Sequence, residues 1–86
     1  MAGYLGDEMK DLVEYLVKAL VDHPEAVEIM ASHSREGDVY KVRVDPADVG
    51  KVIGKGGKTA NALRTLVKAA ASKTYGRVSV DIVTDD

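Results

Sequence analysis

The chain contains no cysteine, no phenylalanine and no tryptophan among its 86 residues. Without cysteine there is no disulfide framework, no thiolate metal site and no cysteine nucleophile. No stretch of eighteen apolar residues occurs, which argues against a transmembrane helix and a membrane role. The opening residues, MAGYLGDEMKDL, lack a basic segment followed by an apolar one, so no secretion signal is legible. Together these absences make the cytoplasm the expected location. His23 and His33 stand ten residues apart, one at a helix end and one in a loop, with no cluster of carboxylates and thiols to make a metal pair of them, so no metal site and no cofactor is expected. Ser72, Ser79 and the threonines have no His–Asp arrangement to activate them, and no catalytic residue is expected.

A further scarcity is local. Residues 1–48 hold eleven acids and five bases, whereas residues 49–77 hold seven bases and no acid. Those bases are Lys51, Lys55, Lys58, Arg64, Lys68, Lys73 and Arg77. The net charge of −2 therefore hides a positive segment suited to an anionic partner. A lysine-rich solvated helix face would show the same composition.

The pattern along the chain is that of one small domain, residues 1–86, with its core expected over about 7–84 and a short acidic tail. Leu5, Met9, Leu12, Val13, Leu16 and Leu20 recur at helical spacing, with Gly6 and Asp7 at the expected start and Pro24 beyond the end. Val27, Ile29 and Ala31 then alternate with polar neighbours, as in a half-buried strand. SREGD supplies a hairpin loop, and Tyr40, Val42 and Val44 face inward on a second strand whose Lys41 and Arg43 face out. Asp45 and Pro46 are N-cap and first-turn residues of a short helix. Asp48 lies nearby, but capping accounts for Asp45 without acid–base chemistry. A longer helix from Gly57 or Lys58 places Leu63, Leu66, Val67 and Ala70 on one face and Lys58, Asn61, Thr65 and Lys68 on the other, with Gly76 as a stop. Val78, Val80 and Ile82 alternate inward on a last strand. The order α-β-β-α-α-β is an α+β domain: a three-stranded sheet with three helices packed on one face.

Between the two later helices lies GKVIGKGGKT, residues 50–59. A P-loop requires its first glycine at position 52, which is Val52, and should follow a strand. A dinucleotide fingerprint starting at Gly54 requires glycine at 59, which is Thr59, and a Rossmann unit needs more chain. What remains is a helix–GxxG–helix, Gly54-Lys55-Gly56-Gly57, in which glycines allow a sharp reversal and close backbone approach. The following helix directs the positive end of its dipole at the same spot, and Lys55 and Lys58 add charge. Such a loop holds a phosphodiester without cleaving it.

VIGKGGKT in this helical frame resembles the V-I-G-x-x-G signature of KH domains, and the element order is that of the type II, bacterial KH fold. MKDLVEYLVKALVDHPEAV and RVDPADVGKVIGKGGKTANALRTLVKAAA resemble the small stand-alone bacterial KH proteins of the KhpA (YlqC) family. The resemblance implies a single-stranded RNA-binding protein, an RNA chaperone and post-transcriptional regulator acting on small RNAs and messages. It implies that Gly54, Lys55, Gly56 and Gly57 contact the sugar–phosphate backbone and that Val52 and Ile53 form an apolar floor for the bases. Lys58 and Thr59 would cap the second helix beside the phosphates, with Asn61 following as a further RNA contact. Gly56 stands where many KH domains carry a large or basic residue. KH recognition does not depend on aromatic stacking, so four tyrosines as the only aromatics are no obstacle. The family further implies a homodimer, or a heterodimer with a larger KH protein of the KhpB or Jag type, and a link to cell-wall synthesis and cell shape. The alternative from the same residues is a protein-interaction module, its GxxG helices serving chiefly as a dimer or partner surface.

Overall fold

A computed structural model describes residues 2–72 and 77–84, with the side chains of residues 8–71 and 77–84. Three helices, α1 (Ala2–Leu20), α2 (Val49–Ile53) and α3 (Lys58–Ser72), accompany three strands, β1 (Glu28–Ser34), β2 (Gly37–Arg43) and β3 (Val78–Ile82). The strands lie in the order β1-β2-β3, with β1 antiparallel and β3 parallel to β2. This is the α+β, type II order read from the sequence.

Period-two alternation in the strands places Ile29, Tyr40, Val42, Val78, Val80 and Ile82 on one face of the sheet. That face meets Met9, Val13 and Val17 of α1, Val52 of α2, and Ala60, Leu63, Val67 and Ala71 of α3 in one continuous core. Burying each branched side chain contributes roughly 1.5–3 kcal/mol. On the outward face Lys41 is paired in register with Met30 and Asp81, and Arg43 with Glu28. These two cations sit on a solvated, charge-balanced surface. Among the described residues no helix is long and apolar enough to cross a membrane.

Several sequence expectations shift. α1 begins at Ala2 and runs through Gly6 and Asp7, since a glycine inside a helix costs only about 1 kcal/mol. Its buried line is Met9, Val13 and Val17, with Leu12 and Leu16 at the margins and Leu20 exposed. On α3 the buried line is Ala60, Leu63, Val67 and Ala71, while Leu66 and Ala70 face out. Leu63 and Val67 set the buried face, and positions 60 and 71 fall on it at helical spacing while 66 turns away. Ala31 is exposed because β1 is an edge strand of which only the first half is covered. The side chain of Leu5, the stop at Gly76, Lys73 and the last two acids lie outside the described residues.

A long-range polar contact fixes the start of α2. Asp45 accepts from the Ala47 N–H at 2.9 Å and so caps the first turn. Asp48, with 0% exposure, is instead spent on the end of α1. Its Oδ2 accepts from the His23 N–H at 2.9 Å and lies 3.0 Å from His23 Nδ1. Lys51 Nζ reaches Asp22 at 3.0 Å and Asp48 at 3.5 Å. The histidines are therefore not without carboxylates: His23 pairs with Asp48, and His33 Nδ1 lies 2.9 Å from Asp38 across the hairpin. Neither pair extends to a three-group cluster that could hold a metal among the described residues.

The hydrogen bond to Asp48 holds the His23 imidazole above its ordinary range, against the effect of burial. Burial pushes Asp48 up, but hydrogen bonds from the His23 ring and from the His23 and Asp22 N–H groups outweigh it and hold the carboxyl low. The raised histidine stabilises the fold fully below about pH 6.5, and that contribution fades as pH climbs through its folded value. The lowered Asp48 contributes above about pH 3.9 and fades as pH falls through its folded value. Thermal melts should therefore show maximal stability between about pH 4 and 6.5 with a decline toward pH 8. His23→Ala should flatten that alkaline decline; an unchanged slope would show that the pair does not couple to folding.

Candidate nucleic-acid interface

α2 ends because Gly54 adopts φ 77° and ψ 169°, a region open essentially to glycine alone. Its N–H closes the helix on the Gly50 carbonyl at 2.8 Å. A Cβ at Gly54 would stand 2.2 Å from Thr59 Oγ1 and 2.8 Å from the Thr59 nitrogen. The reversal between α2 and α3 is thus so tight that the first turn of α3 occupies the space of a side chain at position 54. Lys55–Gly57 form a single 3-10 turn, with Gly56 at φ 65° and ψ 19° and Gly57 also at positive φ. Space within 4 Å of a Cβ at either Gly56 or Gly57 is empty of protein, so their outer side is open.

The hydrogen-bond inventory of the loop follows from this path. Gly57 N–H donates to the Gly54 carbonyl at 3.1 Å, and Lys58 N–H donates to that of Lys55. Among the described residues no such loop bond takes the N–H of Lys55 or Gly56. A helical residue followed by a left-handed one turns successive N–H groups toward a common point, a concave nest that accepts an anion. The nest lies at the N-terminal end of α3, where the helix dipole is positive.

Electrostatics sharpen the picture by subtraction. Lys55 and Lys58 are exposed and take part in no ion pair among the described residues. Lys51, one of the seven bases of the acid-free segment, is held first by its hydrogen bond to Asp22, which raises its ordinary value. It is spent on the fold. The positive field therefore concentrates on the loop and the flank of α3, not on α2.

The remaining residues read as site members distribute as follows. Val52 has 0% exposure and lies in the core, so it offers no floor to a base; it turns inward because α2 must bury one apolar residue per turn. Ile53 is half-buried and packs at the core's rim, where an apolar edge remains. Thr59 is half-buried against Gly54. Asn61 is exposed one turn into α3; its carbonyl accepts from Thr65 Oγ1 at 2.9 Å. Beside it stands a residue of which the sequence alone shows only the charge. Arg64 is half-buried and its Nε donates to the Val80 carbonyl of β3 at 3.1 Å, with Nη1 3.4 Å from Asn61 Oδ1. Its spacing of three from Asn61 places it on the same helical flank, which was the available signal.

A helix–GxxG–helix inserted between an antiparallel hairpin and a parallel third strand defines a KH domain with the type II order of elements. A family model described as KhpA/KhpB, KH domain, matches residues 10–82. A protein of Caldanaerobacter subterraneus subsp. tengcongensis named RNA-binding protein KhpA is 51% identical over 75 residues, covering 87% of this chain and 100% of the relative. Proteins of the same name from Leifsonia xyli subsp. xyli and Clostridium perfringens are 52% and 48% identical, covering 83% and 87% of this chain and 91% and 100% of their own. No solved structure matches. The chain belongs to the KhpA/KhpB family of KH-domain proteins.

The loop geometry separates its glycines by cost. Gly54→Ala meets both a forbidden conformation and the Thr59 backbone, and should destabilise by on the order of 2–3 kcal/mol. For a domain of this size that lowers Tm by at least roughly 8 °C. Gly56→Ala meets no atom and should cost only about 1–2 kcal/mol for left-handed backbone. Equal Tm losses for the two variants would contradict the close approach at Thr59.

Proposed function

We propose that this protein binds single-stranded RNA by holding two to four consecutive phosphates on the Gly54–Gly57 loop and the start of α3. The observation that carries the reading is the pair of N–H groups at Lys55 and Gly56, flanked by two exposed lysines that form no ion pair among the described residues. Relatives named RNA-binding protein KhpA, similar over nearly their whole length, supply the nucleic-acid class. The role is binding, not catalysis. The groups gathered at the loop are N–H and ammonium donors, and the buried carboxylate nearest in sequence, Asp48, is committed to His23 and Lys51. In the cytoplasm such a clamp, indifferent to most of the base sequence, suits an RNA chaperone that remodels small RNAs and messages.

A four-nucleotide clamp has limited affinity, and linking two of them multiplies binding without new contacts. The working form is accordingly a homodimer, or a pair with a larger KH protein of the KhpB type, through which a role in cell-wall and cell-shape control would run. Leu66, 57% exposed in mid-α3, is an apolar group open to such contact. Only monomer in light scattering at tens of micromolar, and no KH partner in pull-downs from native lysate, would count against this assembly.

Lys55→Asp combined with Gly56→Asp tests the clamp. The change places two carboxylates where phosphate oxygens must lie and removes one cation. Gly56 is left-handed, but Asp tolerates that region better than most residues and its Cβ meets nothing, so the fold should survive with a loss of about 1 kcal/mol. RNA binding should be lost. Wild-type affinity should fall with salt at a log–log slope of roughly −1.5 to −3. A folded double variant that binds RNA like wild type would refute the site.

A further inference from the structure

β1 is the first strand of the sheet, and its outer edge has no strand beside it among the described residues. Two bonds fix which of its groups face out: Asp38 N–H donates to the Arg77 carbonyl at 3.0 Å, and Val83 N–H to the Val42 carbonyl at 2.9 Å. Residues 38 and 42 of β2 thus bond toward β3, and by alternation 37, 39, 41 and 43 bond toward β1. Their partners in register are Ser34, Ser32, Met30 and Glu28. The N–H and C=O groups of Ile29, Ala31 and His33 are left on the outer edge. The same alternation turns Val80 outward on β3, but there Arg64 Nε donates to its carbonyl at 3.1 Å. On β1 the register runs unbroken and residues 29–34 hold no lysine, proline or bulge, the devices that keep bare edges apart.

A second β1 laid antiparallel along this edge satisfies it in one register. With Ala31 opposite Ala31 on a two-fold axis, Ile29 faces His33 and His33 faces Ile29, so every outward residue meets an outward residue. Each of these pairs exchanges two bonds, about six in all. Between them Met30 falls opposite Ser32 and Glu28 opposite Ser34, so no like charges oppose one another. A shift of two residues would leave one outward residue of each copy unpaired. The small Ala31 side chains meet at the axis without crowding.

The fit extends beyond the strands. Helix α1 covers β1 only as far as Ile29, and Ala31, Ser32, His33 and Ser34 are exposed. Between α1 and the covered half lies a groove of about 340 Å³ lined by Lys10, Glu14, Val27, Glu28, Ile29 and Met30. In the Ala31 register position 27 stands opposite position 35, so the two-fold brings the second copy's uncovered half and its Arg35–Glu36 turn to this groove. A base and an acid on the turn there meet Glu14 and Lys10 on α1. Resting on the homodimer put forward above, we propose that two copies of this chain join β1 to β1 in one six-stranded sheet, with both helix layers on the same side. Helix α3 packs against β3, at the other edge of the domain, so the two RNA clamps lie toward opposite ends of that sheet. The two β3 strands then stand about 24 Å apart. Leu66 on α3 stays open for contact with a different KH chain.

Sedimentation equilibrium measures the pair, and nitrogen-15 amide spectra locate it. Wild type should dimerise at tens of micromolar, and dilution should move the amides of Ile29, Ala31 and His33 most. Ala31→Pro removes an outward N–H from each copy and leaves the bonds to β2 in place. Ala31→Lys sets two like charges beside the axis. Each should weaken dimerisation at least about tenfold, since the two-fold doubles every change. Lys10→Glu should weaken it less, and adding Glu36→Lys to that variant should restore it. Dilution shifts confined to α3, or a dimer that a folded Ala31→Lys leaves unchanged, overturn the β1 pairing but keep the homodimer. A wild type that stays monomeric overturns both, even if a variant fails to fold. Shifts on β1 that appear only in native lysate give the edge to a different protein and overturn the pairing as well. A short single-stranded RNA should bind Ala31→Pro as it binds wild type. A β1-paired dimer that binds no RNA would instead refute the RNA-binding reading and leave the pairing standing.

Discussion

The close approach of Thr59 to the α-carbon of Gly54 is the constraint on which the rest of the site depends. With φ at 77° and no room for a side chain, α2 can stop and α3 can start within a single 3-10 turn. That turn puts Gly56 in the left-handed region directly after a helical residue, a conformation that turns successive N–H groups toward a common point. A longer connection would let these donors fold back onto neighbouring carbonyls. The polar capacity to hold a phosphate therefore arises from a steric condition two residues earlier.

The scaffold that presents this turn is tied together from both sides. On one side Val52, Ala60, Leu63 and Val67 join α2 and α3 to the sheet core. On the other, the buried Asp48 carboxylate binds the last turn of α1 to the first residues of α2 through His23, and draws in Lys51. Burying a carboxylate is costly unless it is fully hydrogen-bonded, and here both oxygens are engaged. One consequence is a narrower positive surface than the sequence suggests. The lysine closest to the loop on α2 serves the fold, which leaves Lys55, Lys58 and the α3 flank to meet an anion.

The sequence carried the strands, the element order and the glycine loop because each rests on local rules. Alternating Tyr40, Val42 and Val44, the Asp45–Pro46 helix start and the GxxG spacing require only neighbours a few positions apart. What it did not show depended on distance or on closeness of packing. The His23–Asp48 pair spans 25 residues, and nothing local couples them. Ala60 and Ala71 lie in the core where Leu66 does not, because the helical face set by Leu63 and Val67 passes through positions 60 and 71 and leaves 66 outside. Val52 reads as part of the V-I-G surface motif, yet with only five residues in α2 it is the one the core takes. Arg64 reads as one of seven bases until the Val80 carbonyl appears beside it.

The central claim, that the N–H groups of the glycine loop hold RNA phosphates, is tested most directly by following backbone amide resonances in a nitrogen-15 spectrum during titration with a short single-stranded RNA. The account predicts that the largest shifts fall on Lys55, Gly56, Gly57, Lys58 and Thr59, with smaller ones along Asn61, Arg64 and the outward residues of β3. Largest shifts on Lys41 and Arg43 of the outer sheet face, with the loop amides unmoved, would contradict it.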